Sequence, residues 1–389
     1  MLVTAARLWN GQRILQRPMV RIEDGLIAAV SNAKSAPGKS KQADIQDFPS
    51  ATLAPAFFDV HIHGAAGHDV MEATPEALRA IGTFLAGKGT GSYLATTVTA
   101  PLDATLRAVS GLAKLIENPS LIGDGAVART LGIHLEGPFL SHEKCGVQPV
   151  EHMLAPDVAV FDRIFDAAEG HVRLMTVAPE LPGAIELIRH ATARGVRISL
   201  GHSNATSDET RAAIAAGAIS ATHTFNAMRG LDHRDAGILG IVLTTNSLYA
   251  ELICDGIHVA REPVQMWFRL KGKKRGILVT DAMSAAGMPD GEYRLGGFAV
   301  QVAKGKATAR GVLAGSVLTL DRALRNFMEF TAAPVSEALP LLTANPAAMT
   351  GLNDRTGFAA VGRAANLIAL DESGRLVASI INGGVAART

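Results

Sequence analysis

The chain has 389 residues, with 37 Lys and Arg against 36 Asp and Glu, a formal charge of +1, and 48% apolar residues against 19% charged. That balance gives no electrostatic reason to expect nucleic acid or an anionic membrane as a partner, and the apolar share excludes a disordered chain. No apolar run approaches the ~18 residues of a membrane span, the opening MLVTAARLWN lacks a leader pattern, and two cysteines rule out a disulfide framework and fit a reducing cytoplasm.

The first 50 residues read as β structure. Asn10-Gly11 and Asp24-Gly25 are two-residue hairpin signals between short apolar runs. A polar stretch with Pro and Gly at 31–47 reads as an exposed loop. From about residue 54 the pattern changes to strands alternating with helices. Strands are predicted at 57–63, 92–99, 130–135, 172–177, 196–201, 219–223, 249–254 and 276–280. Between the first two, Leu78, Ile81 and Leu85 recur at helical spacing after Thr74 and Pro75, which predicts a capped helix over 75–87. GKGTGS at 87–92 follows that helix and leads into a strand, so it reads as a helix-ending turn rather than a dinucleotide loop. Eight strand–helix alternations predict an α/β chain built as a (β/α)8 TIM barrel. Asn366–Leu370 and Leu376–Ile381 read as strands again, so the two termini are expected to build one small β domain.

Polar residues gather where the barrel strands end. His61 and His63 close the first strand, and a two-residue step returns both imidazoles to one face. Glu136 closes the third, His202 the fifth, His223 the sixth and Asp281 the eighth. Strand C-termini form the open mouth of such a barrel, where catalytic groups sit. One buried histidine is ordinarily a hydrogen-bonded core residue, and the bland alternative for Asp281 is a helix N-cap after the eighth strand. Four histidines and two carboxylates at five strand ends are hard to explain as packing, because each buried without a partner costs kilocalories. Imidazole and carboxylate suit zinc first, with iron, manganese or cobalt also accommodated. A divalent ion acidifies its bound water toward ~7 and polarises a carbonyl, so the set points to hydrolysis.

HIHG, HLEGPF, GHSNAT, the THxxNAM pattern at 222–228, DGxH at 255–258 and VTDA at 279–282 together resemble the N-acetylglucosamine-6-phosphate deacetylases of the amidohydrolase superfamily. The resemblance covers essentially the whole chain. It implies a catalytic barrel over 54–351 and a small β-sandwich domain formed by 1–53 and 352–389. It implies that Glu136, His202 and His223 hold one metal, and that His61, His63 and Glu136, helped by Asp281, hold a second. Asp281 would then take a proton from the attacking water and deliver it to the departing amine. Glu136, in place of a lysine, argues against the branch that bridges two metals with a carboxylated lysine.

The same resemblance implies that the backbone at Asn226 and Ala227 and the side chains of Arg234 and His258 bind a sugar phosphate. In relatives this arginine reaches the neighbouring subunit's site, which implies a homodimer. One departure stands out: the family usually carries a sugar-binding histidine twelve residues after the glutamate, where this chain has Gln148. Gln148 either keeps that role or shifts preference toward the galacto epimer. Cys145 lies beside Lys144 in the same loop, Cys254 reads as core, and His68, His134, His142 and His152 are assigned no role. The expected activity is therefore cytoplasmic, metal-dependent removal of acetyl from N-acetylglucosamine 6-phosphate. Another N-acyl amidohydrolase is the first competitor, and a non-catalytic barrel scaffold the second.

Overall fold

A computed structural model describes residues 1–32 and 44–388. The barrel strands, numbered in chain order, are β1 (Phe57–Ile62), β2 (Thr90–Thr97), β3 (Arg129–Glu136), β4 (Val172–Val177), β5 (Arg197–Leu200), β6 (Ala218–Ala221), β7 (Ala250–Ile253) and β8 (Gly276–Val279). β1 to β6 form one parallel sheet in sequence order, and β7 pairs with β8 in parallel. Backbone hydrogen bonds close the ring at both seams. Ala221 N donates to Tyr249 O at 3.1 Å, and Asp281 N donates to His61 O at 2.9 Å. The sequence places all eight strands within two residues of their ends, because parallel strands buried on both faces read as near-continuous apolar runs. Every residue of β1, β2 and β7 is buried.

The helix Pro75–Gly87 forms as its spacing predicts. Thr74 accepts from Ala77 N, Pro75 opens the first turn, and Leu78, Ile81 and Leu85 are buried against the strands. Among the described residues no helix is long and apolar enough to cross a membrane.

Both termini meet in a single mixed sheet. Its order runs Gly384–Arg388, Leu376–Ile381, Leu367–Leu370, Ile45–Pro55, Leu2–Trp9, Pro18–Glu23 and Leu26–Asn32, with Ile14–Gln16 off Leu2–Trp9. Val3, Leu8, Leu53, Leu367 and Ile380 form its core, separate from that of the barrel. Asp24 and Gly25 make the expected two-residue turn, with φ of 48° and 75°. Asn10-Gly11 instead opens a four-residue loop, because pairing resumes only at Trp9 with Ile14 and the Asn10 side chain caps Gln12 N and Arg13 N. The loop expected at 31–47 is narrower than its composition suggests. Strand runs to Asn32 and begins again at Ile45, and 33–43 lie outside the described residues.

After β8 the chain makes an antiparallel sheet that the alternation does not announce: Gly291–Leu295, Phe298–Ala303, Lys306–Ala309 and Val312–Leu313. Gly296-Gly297 turns its first hairpin, and Lys304-Gly305 and Arg310-Gly311 turn the other two with positive φ at both positions. These are the same primed turns that Asn-Gly makes, carried here by less typical first residues.

Gly137, directly after Glu136, has φ of +96°, and a Cβ there would lie 2.1 Å from Thr99 Oγ1. Gly137→Ala is therefore expected to cost about 1–3 kcal/mol, measured by urea unfolding. A loss below ~0.5 kcal/mol would show that the loop relaxes freely.

Candidate metal centre

Five strand ends deliver six side chains to the barrel mouth. His61 lies in β1 and His63 just beyond it, Glu136 ends β3, and His202, His223 and Asp281 each stand two residues past β5, β6 and β8. All six are buried. The last three have left-handed backbone, with φ of 47°, 27° and 50°. That conformation costs a non-glycine residue on the order of 1 kcal/mol or more, and such strain persists where the surroundings over-determine it. Asp281 caps no helix: Ser316 N donates to its carbonyl at 2.7 Å, and the next helix begins only at Leu320.

The donors fall into two groups, His61 with His63 and Asp281, and Glu136 with His202 and His223, each within 4.8 Å. Glu136 joins them. Its Oε1 lies 3.0 Å from His223 Nε2, 3.2 Å from His202 Nε2 and 3.4 Å from His61 Nε2, while its Oε2 lies 3.3 Å from His63 Nε2. Asp281 Oδ1 is 3.2 Å from His63 Nε2 and 3.5 Å from His61 Nε2.

Hydrogen bonds behind the rings aim them. His63 Nδ1 meets Thr96 O at 3.0 Å, His202 Nδ1 meets Lys144 O at 2.9 Å, and His61 Nδ1 meets Glu251 Oε2 at 3.2 Å. A carbonyl or carboxylate accepts from Nδ1–H, so all three rings present a bare Nε2 to the centre. His202 Nε2 and His223 Nε2 then stand 3.1 Å apart, and His61 Nε2 is buried with no hydrogen-bond partner. Ring nitrogens converging this closely and an orphaned buried nitrogen are unfavourable as a purely protein arrangement. They are what a divalent cation resolves, so the residues fit a metal.

Charge follows the same geometry. Burial alone would raise the Asp281 carboxyl, but the neighbouring His61 charge and the His63 hydrogen bond hold it down, to about 2. Glu136 is likewise buried and held well below the usual range by the histidines around it. Burial disfavours the His63 imidazolium, yet Asp281 and Glu136 pull it up to about 9. Burial pushes Asp59, below the site on β1, up to about 7 despite its Thr280 hydrogen bond.

A cavity of about 320 Å³ opens over the donors, lined by His63, Glu136, His202, His223 and Asp281 and by Gln148, Asn226, Ala227 and His258. The structure thus brings every sequence-predicted site residue to one place except Arg234, which is exposed in its loop and does not line the cavity. Gln148 is committed at both ends of its amide. Its Nε2 donates to Glu136 Oε2 at 2.6 Å, and its Oε1 accepts from Thr99 N at 2.8 Å. His258 Nδ1 pairs with Asp255 at 2.7 Å. Burial opposes its charge, but Asp255 raises the ring above its ordinary value, which suits an anion partner.

Sequence reasoning missed Glu251 and gave His134 no role. Glu251 is fully buried in β7, a lone acid in the apolar run YAELIC, and that anomaly was the available signal. His134 lies edge-on to His61 with ring centroids 4.8 Å apart, and its Nε2 contacts Thr176 Oγ1 at 2.8 Å. Cys254 is buried, as expected of a core thiol, and Cys145 is partly exposed beside the cavity loop.

Residues 52–386 match the amidohydrolase family. The chain belongs to that family. It is 38% identical to the N-acetylgalactosamine-6-phosphate deacetylase of Escherichia coli O157:H7, over 94% of each chain. It is 35% identical to the N-acetylglucosamine-6-phosphate deacetylase of Bacillus subtilis, over 96% of this chain and 93% of that one. Among solved structures, a mutant N-acetyl-D-glucosamine-6-phosphate deacetylase of Mycobacterium smegmatis, in complex with N-acetyl-D-glucosamine-6-phosphate, superposes with a TM-score of 0.91. That match has 35% identity and covers 100% of this chain and 99% of the other. The family likeness agrees with the α/β barrel and the divalent-metal donor set.

The metal-free protein should lose stability as pH rises. Asp59 has its folded value raised, so its contribution is present below ~4 and lost toward pH 7. His63 does the same between ~6.5 and about 9. Thermal unfolding of chelator-stripped protein should therefore show Tm falling from pH 6 to 9, with added zinc restoring most of it at the upper end. A flat or rising Tm would contradict this electrostatic picture.

Proposed function

We propose that this chain hydrolyses the acetamide of N-acetyl-D-glucosamine 6-phosphate, releasing acetate and D-glucosamine 6-phosphate. The observation that carries the reading is the pair of donor groups sharing Glu136 beneath a cavity that His258 also lines. A bound divalent ion there, zinc first among the candidates, supplies an acidified water near neutral pH and polarises the amide carbonyl. The protein's own groups do the rest. Asp281, a carboxylate at neutral pH, accepts a proton and returns it to the amine nitrogen, because an unprotonated amide anion is a very poor leaving group. Gln148 and the four histidines hold Glu136 in one orientation. His258 and the Asn226-Ala227 turn receive the phosphate end.

Arg234, exposed here, is assigned to the phosphate of a neighbouring protomer's substrate, which makes the working form a homodimer. We assign 54–351 to the catalytic unit and 1–53 with 352–389 to the small β domain built on the terminal sheet. A phosphorylated sugar substrate places the enzyme in the cytoplasm.

The galacto epimer is a second reading, favoured by the 38% identical relative that acts on N-acetylgalactosamine 6-phosphate. Gln148 lines the cavity with one amide N–H and one oxygen lone pair still free, so it can serve either epimer. Acetate release is measured on the gluco phosphate, the galacto phosphate and unphosphorylated N-acetylglucosamine in parallel. Fast cleavage of the gluco phosphate, with the unphosphorylated sugar far slower, is expected. A preference for the galacto phosphate would install the second reading, and no cleavage by metal-loaded protein would end both. Asp281→Asn should lower kcat by about 10²–10⁴-fold. Arg234→Ala should raise KM for the phosphorylated substrate while leaving kcat within a few-fold.

A further inference from the structure

Glu251 is a fully buried acid that takes no part in the chemistry above. Its Oε2 receives His61 Nδ1 at 3.2 Å and, more distantly, His223 N at 3.4 Å, and its Oε1 has no hydrogen-bond partner. Taken as protein alone this is a poor arrangement. A carboxylate removed from water and left half-satisfied costs several kilocalories. The opposite nitrogen of the same ring, His61 Nε2, is also buried and unpartnered, facing Glu136 and Asp281. The two atoms lie on either side of one imidazole: a cation at Nε2 would give that nitrogen a partner, while the Glu251 carboxylate faces the Nδ1 edge of the same ring.

We propose that Glu251 is the positioning residue that commits His61 to a second metal ion, by holding the Nδ1 proton and so keeping Nε2 bare toward His63 and Asp281. The assignment rests on the metal-hydrolase reading of the site and deepens it. His134 closes the other side of the ring edge-on, so His61 is held by a carboxylate behind and an imidazole beside it. No other ring at the centre has a carboxylate at its back. His63 and His202 lean on carbonyls, and His223 Nδ1 has no partner. The carboxylate also adds negative charge behind the His61, His63 and Asp281 group. Two divalent ions bring four positive charges, against which the ligands supply only the carboxylates of Glu136 and Asp281. A third buried carboxylate reduces that imbalance on the side where the second ion sits. Glu251 therefore determines how many ions this centre holds, and the Glu136, His202 and His223 group binds its ion without it.

The test is a titration of chelator-stripped protein with cobalt(II), followed by its visible spectrum and by elemental analysis. The unaltered protein should take up two equivalents. Glu251→Gln and Glu251→Leu should keep one equivalent at native affinity and bind the other about 10–100-fold more weakly. His61→Asn should show the same selective loss, and adding Glu251→Leu to it should cost no further affinity. The isosteric Glu251→Gln covers the case in which Glu251→Leu does not fold. Both equivalents retained at native affinity in the Glu251 variants would overturn the proposal. So would equal weakening of both ions, which marks general loosening, or uptake of a single equivalent by the unaltered protein. Deacetylation is assayed separately: two ions bound as expected without turnover of either sugar phosphate would end the functional reading and leave this one standing.

Discussion

The centre depends on one carboxylate shared between two sets of imidazoles. Glu136 can face four histidines only because β3 ends at that residue and Gly137 turns the chain away immediately, in a conformation that admits no side chain. Gln148 returns from the following loop to hold the same carboxylate, and its other end is fixed to the end of β2 through Thr99. Neighbouring strands and loops are thus tied through a group that must itself bind cations. Stability and ligand geometry are the same problem here, and both are solved at the buried floor of the barrel mouth, where the strands end.

Strain is concentrated at the same place. His202, His223 and Asp281 all leave their strands in left-handed backbone, a conformation that ordinary side chains avoid. An extended continuation would carry the chain onward past the mouth, with side chains alternating between the two faces. The turn instead swings it across the mouth, and the cost is offset by hydrogen bonds such as Asp281 N to His61 O and Ser316 N to Asp281 O. Backbone and side chain are therefore fixed together, and a bound ion meets donors that need little reorganisation.

The barrel and the six donors were legible in the sequence for a common reason. Parallel strands buried on both faces give uninterrupted apolar runs, and polar residues can end such runs only where they find a partner or a mouth. His61, Glu136, His202, His223 and Asp281 each stand at such an interruption. Glu251 interrupts a run as plainly, but it lies inside the strand rather than at its end, where a rule about strand ends does not look. Gln148 was weighed as a sugar contact because the resembling family carries a sugar-binding histidine at that spacing from the glutamate. Only the fold reveals that Thr99 and Glu136 occupy its amide. Of the hairpins after β8, two carry their turns on Lys-Gly and Arg-Gly, weaker signals than Asn-Gly, whereas Gly296-Gly297 was a hairpin signal left unused. The Asn10 loop is longer than its dipeptide implies because strand pairing, a tertiary matter, decides where the turn ends.

The terminal sheet bears on how the molecule is made. Ile45–Pro55 lies between Leu2–Trp9 and Leu367–Leu370, and it runs almost directly into β1. During synthesis from the N-terminus, one edge of that strand stays unpaired until the whole barrel has emerged. An open strand edge is a template for pairing with other chains, and such long-range closure is slow. The metal centre and the sheet are therefore completed at different times. The barrel's donors, the last being Asp281, are all available while the small sheet still lacks its final three strands.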